Sequence, residues 1–167
     1  IEAADANGQV VNLTVFYFGP AHPFDDVAAV RRAALGVADW LRETGYTNVV
    51  LEVGNEMGAY DYRGFELLNT NRGLPGLIGE VKVRHRGLLV SMSHANTRGR
   101  TREINQDLLD AVDVLLIHGN GESDAEMKGD VEWLRERFDG PIHVNEDTAR
   151  HIDDERFDLL TRLGVGN

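Results

Sequence analysis

Cysteine is absent from this 167-residue chain, which excludes disulfides and thiolate metal ligands. Long apolar runs are absent as well. No stretch approaches the roughly 18 residues that cross a bilayer, so no membrane partner is expected. Basic residues are outnumbered, 17 against 28 acidic, and are scattered along the chain, leaving a formal net charge of −11. That field repels a phosphate backbone, so nucleic acid is not expected as a partner. No glycine-rich phosphate loop follows the first β-like run. The segment there, Phe18-Gly19-Pro20-Ala21-His22-Pro23, offers too few free backbone N–H groups to cradle a phosphate. No repeat, low-complexity tract or linker divides the chain, so residues 1–167 read as a single domain.

The chain does hold an ordinary globular share of hydrophobic residues, 42%, enough for a core. Five β-rich runs stand out: Val10–Phe18, Asn48–Gly54, Gly87–Ser93, Val112–Ile117 and Pro141–Asn145. Several are almost continuously apolar, as strands covered on both faces are. Helical patterns separate them. Phe24–Thr44 carries apolar residues at Val27, Val30, Ala34, Val37, Ala38 and Leu41, with Asp25 and Asp26 near its positive end and Gly45 beyond it. Pro75 suits the first turn of a helix over Leu74–His85. Further helices are expected at Glu103–Asp110, Ala125–Phe138 and Asp153–Leu163, and Ile1–Gly8 reads as a helix tail.

Strict β/α alternation implies parallel strands joined by right-handed crossovers. An open doubly wound sheet and part of a (β/α)₈ barrel both satisfy it. Both ends read as cut, with no initiator Met or signal peptide in view, so the compartment stays open. The expectation is the central part of a (β/α)₈ barrel with consecutive neighbouring strands. If the barrel is incomplete, its open strand edges favour self-association.

In either architecture the reactive side chains gather at the C-terminal ends of the strands. Those ends read Tyr17, then Asn55-Glu56, then Ser93-His94, then His118-Gly119-Asn120, then Asn145-Glu146. Along the second strand Val50, Glu52, Gly54 and Glu56 share a face by period two. Glu52, a layer deeper than Glu56, needs partners and reads as a structural network residue. Two Glu residues end two strands in the same Asn-Glu dipeptide, with two complete strands between them. Glycoside hydrolysis needs such a pair across one bond, one protonated and one ionised.

These strand ends, with Gly45-Tyr46-Thr47-Asn48-Val49-Val50-Leu51-Glu52-Val53-Gly54-Asn55-Glu56 before the first Glu and Val144-Asn145-Glu146-Asp147 around the second, resemble the clan A glycoside hydrolases. The resemblance implies barrel strands 3 to 7, Glu56 as acid/base on strand 4 and Glu146 as nucleophile on strand 7. It implies a retaining O-glycosidase working by double displacement on a carbohydrate, with no cofactor and no metal. Asn55 would donate to the sugar hydroxyl beside the anomeric carbon. His118 and Tyr17 would line the subsite and orient the nucleophile, with Asn120, Asn145 and His94 at the remaining strand ends. The two carboxyl groups should converge, roughly 5–5.5 Å apart in a retaining enzyme.

Two rivals stand beside this reading. One is a metal-dependent hydrolase or isomerase barrel using His94, His118 and a carboxylate. The other is a non-catalytic carbohydrate-binding barrel fragment. Met57, Tyr60, Tyr62 and Phe65 read as anchors of the loop after the second strand, and His22 as structural. Asp147 and His151 beside Glu146 lack the spacing of a zinc motif.

Overall fold

The structure, a computed structural model, describes residues 1–17, 26–58, 65–68, 72–94, 100–148 and 154–166. His22, Phe24, Asp25, Tyr60, Tyr62 and His151 lie outside the described residues.

Five strands form one parallel sheet in consecutive order: β1 (Val11–Phe16), β2 (Val49–Gly54), β3 (Leu89–Ser93), β4 (Val114–His118) and β5 (Ile142–Glu146). The sheet curls into a half-barrel with helices between successive strands, the incomplete (β/α)₈ arrangement rather than a doubly wound sheet. The helices are α1 (Glu2–Asp5), α2 (Val27–Thr44), α3 (Leu74–Arg84), α4 (Gln106–Ala111), α5 (Asp124–Arg135) and α6 (Asp154–Arg162).

Local chemistry sets the helix limits. Asp26 caps α2 by accepting from the Ala29 N–H at 2.6 Å, and Gly45 closes it in the left-handed conformation at φ +73°. Pro75 falls in the first turn of α3. Ser123 and Glu126 cap α5 reciprocally. The helix expected from Glu103 begins later, because Asn105 accepts from the Leu108 N–H at 3.0 Å and so fixes Gln106 as the first helical residue; Glu103 lies in a preceding 3₁₀ turn. The fourth strand likewise starts at Val114 rather than Val112, since the Val112 N–H still bonds to the Leu108 carbonyl and ends α4.

Alternation along the strands divides the sheet into two faces. Leu51, Val53, Val90, Met92, Leu115, Ile117, Ile142 and Val144 face the helices. They pack against Val30, Ala34, Ala38 and Leu41 of α2, Leu77, Ile78 and Val81 of α3, and Met127, Val131 and Leu134 of α5. Each Leu or Ile withdrawn fully from water there contributes roughly 1.5–3 kcal/mol. Val27, read as part of the apolar stripe, is 42% exposed because it sits in the first turn beyond the edge of the contact.

The inner face is more polar. Thr14 stands opposite Glu52, Glu52 opposite Ser91, and Ser93 opposite Leu116. Glu52 is buried and accepts from Thr14 Oγ1 at 2.5 Å and Asn12 Nδ2 at 3.1 Å, so it ties β1 to β2. His143 on β5 is half-buried, and that burial pushes its imidazolium below its ordinary pKa.

Candidate active site

The strand ends converge through three local devices. The first is the turn after β2. Glu56 holds a left-handed backbone at φ +51°, a conformation that costs a non-glycine residue energy and persists only when neighbours enforce it. The enforcing residue is Ser93 at the end of β3. Its Oγ accepts from the Glu56 N–H at 3.0 Å and from Asn55 Nδ2 at 3.4 Å, while its carbonyl accepts from the Met57 N–H at 2.8 Å. Met57 is fully buried and Phe65 packs on the core. Gly58 follows at φ +90°, and a Cβ there would come within 2.8 Å of His94 Nε2. Any side chain there would have to displace that ring and accept the positive φ.

The second device is a β-bulge. Leu116 pairs with His143 and Ile117 with Val144, but His118 pairs with Glu146, which leaves Asn145 as an extra residue. Plain alternation would direct Asn145 inward and Glu146 towards the helices. The bulge brings Glu146 opposite the inward-facing His118 instead. Gly119 fixes the register, because its N–H donates to the Glu146 carbonyl at 2.8 Å. A Cβ at this glycine would lie 2.7 Å from Asp147 Oδ2.

The third device is a buried arginine that the sequence reading missed. Arg156 on α6 is 2% exposed and pairs with Asp147 Oδ2 and Asp124 Oδ1, each at 3.2 Å, and its Nη2 donates to the Glu122 carbonyl at 2.6 Å. It links the segment just past Glu146 to the start of α5. An arginine in a helix of high charge looks solvated in the sequence, and only its tertiary partners distinguish it.

These devices bring Glu56, His118 and Glu146 together. His118 is fully buried, with Nδ1 3.1 Å from Glu56 Oε1 and 3.8 Å from Glu146 Oε2. One atom from each of the three residues lies within 4.8 Å of the others. Asn120 Nδ2 donates to the other Glu146 oxygen, Oε1, at 2.5 Å.

The remaining residues are less central. Asn55 is 5% exposed and its amide nitrogen is engaged by Ser93, with Oδ1 unpaired among the described residues. Asn145 lines a small cavity with Phe157 and Leu160 between β5 and α6. Tyr17, one residue beyond β1, is 65% exposed. His94 is buried against Gly58 and is not part of the group formed by Glu56, His118 and Glu146.

One imidazole and two carboxylates can also ligate a divalent cation. A tetrahedral zinc site with bonds of 2.0–2.1 Å has ligand–ligand edges of about 3.3 Å. The widest separation here, up to 4.8 Å, would have to close by side-chain rotation. As they stand, the two carboxylates face one space from different strands, which suits acid–base and nucleophilic work on a bond between them.

No protein-family model and no curated protein sequence matches this chain. Solved structures do share its fold. A fungal β-1,4-galactanase superposes with a TM-score of 0.67 at 12% identity, over 87% of this chain and 54% of that one. A β-glucosidase in its apo form superposes with a TM-score of 0.58 at 14% identity, over 97% and 61%. The chain thus spans little more than half the length of either barrel.

Proposed function

We propose that the protein is a retaining O-glycoside hydrolase in which Glu56 is the acid/base and Glu146 the nucleophile. The observation that carries this reading is the approach of the two carboxylates, an oxygen of each within 4.8 Å of the other. A retaining pair lies roughly 5–5.5 Å apart, whereas an inverting pair needs about 6.5–9.5 Å to admit a water. The galactanase and glucosidase barrels of like fold support it as analogy.

The reaction runs as two displacements. Glu146 Oε2 attacks the anomeric carbon while Glu56 protonates the departing oxygen, leaving a glycosyl ester on Glu146. Glu56, now ionised, takes a proton from water as that water attacks the ester. Glu56 then ends protonated and Glu146 free. Asn120 holds Glu146 Oε1 and so leaves Oε2 on the side of His118.

Two variants test the roles on aryl glycosides in the protein that carries this chain. Glu146→Ala should abolish turnover. Glu56→Ala should still release activated leaving groups, and azide should restore its deglycosylation with a β- or α-glycosyl azide as product. Full activity in either variant would refute the assignment. The second reading, a metal-dependent hydrolase or isomerase, draws on the same imidazole and carboxylates. A stoichiometric divalent ion in purified protein, with activity lost to a chelator, would favour it.

A further inference from the structure

We infer that His118 is a positioning residue that acts as a neutral donor shared by both carboxylates, its Nδ1–H bonded to Glu56 in the free site, passing to Glu146 for the attack and returning to Glu56 once Glu146 is esterified. The inference rests on the glycosidase reading for its mechanistic use, and on three observations for its geometry. His118 is fully buried. Its Nδ1 faces both carboxylates, 3.1 Å from one and 3.8 Å from the other. Its Nε2 is buried with no hydrogen-bond partner among the described residues.

The tautomer follows. Among the described residues a hydrogen on Nε2 would be a buried donor without an acceptor, and an imidazolium would carry that same orphan. A bare ring nitrogen at Nε2 is cheaper to bury. The single hydrogen therefore belongs on Nδ1. At 3.1 Å it bonds to Glu56, whereas 3.8 Å is too long for a hydrogen bond to Glu146. The two acceptors are close enough that a small ring rotation exchanges them. Double displacement calls for such an exchange. Substrate binding draws protonated Glu56 to the departing oxygen and frees the donor for ionised Glu146, and once Glu146 is esterified the donor returns to ionised Glu56. The proton stays on Nδ1 throughout, and only its acceptor changes.

Two experiments decide this. In protein with ¹⁵N-labelled histidine, NMR should find His118 as the Nδ1–H tautomer at neutral pH. That tautomer should survive in Glu56→Ala and in Glu146→Ala and be lost only when both are replaced. An Nε2–H tautomer or an imidazolium would overturn the inference. So would loss of the tautomer in Glu56→Ala alone, which would mark a fixed pair. In pre-steady-state kinetics on an activated aryl glycoside, His118→Ala should slow both glycosylation and deglycosylation by about ten- to a hundredfold. His118→Asn, which puts an amide N–H near the position of Nδ1, should restore most of each step. Slowing of deglycosylation alone, or no recovery in His118→Asn, would overturn it. Failure of the unaltered protein to turn over any glycoside would end the glycosidase reading, and the tautomer measurements would still decide the donor assignment.

Discussion

Replacing Arg156 with Met tests whether the ion cluster behind the site holds it together. The change keeps most of the side-chain volume and removes three interactions at once. They are not equal. Asp124 is 55% exposed, so its pairing is screened and contributes at most about 1 kcal/mol. The Glu122 carbonyl loses its donor, at a cost of about 1–3 kcal/mol if no water replaces it. Asp147 dominates. Its side chain is 7% exposed, and the guanidinium is its cationic neighbour at 3.2 Å. Removing one member of a buried pair typically costs about 3–5 kcal/mol, because the other charge stays buried. These terms overlap, and the expected loss is about 3–5 kcal/mol in all. For a chain of this size that corresponds to roughly 6–20 °C in Tm. Urea and thermal unfolding would measure it. Adding Asp147→Asn to the Arg156→Met background should recover most of the loss, since the orphaned charge is then gone. A single variant within about 1 kcal/mol of the parent would refute the reasoning.

Three further outcomes follow from the same geometry. Ser93→Ala removes the acceptor that pins the Glu56 N–H, and should cost about 1–3 kcal/mol in urea unfolding and lower kcat/KM by roughly ten- to a hundredfold. Gly58→Ala must accept φ +90° and crowd His94, so its urea midpoint should fall by an amount equivalent to about 1–3 kcal/mol, without loss of helical circular dichroism. Burial holds the His143 imidazolium below its ordinary pKa, so the unfolded chain binds a proton first as pH falls through about 6.5. Stability should therefore decline from there towards the lowered folded value and be unaffected by this group above it. Unfolding of His143→Gln across that range should show a flatter acid limb.

Much of the scaffold was legible in the chain because it rests on local chemistry. Apolar runs bounded by caps gave five strands and the helices between them, and Asp26, Gly45 and Pro75 do at the helix ends what their side chains dictate anywhere. Strand alternation also placed Glu52 in a buried polar network. The position of Glu146 was a different matter. Counting by twos from His143 points Asn145 inward, and the residue that faces His118 is Glu146 only because β5 bulges against β4. That bulge belongs to a pair of strands and leaves no mark in either one's own pattern. The turn at Glu56 is similar, since a left-handed glutamate is unfavourable by itself and is held by a serine 37 residues away. Sequence thus determined which residues stand at the strand ends, because propensity and capping act over a few neighbours. Tertiary structure decided which of them meet, because register, bulges and buried ion pairs exist only between segments distant in the chain.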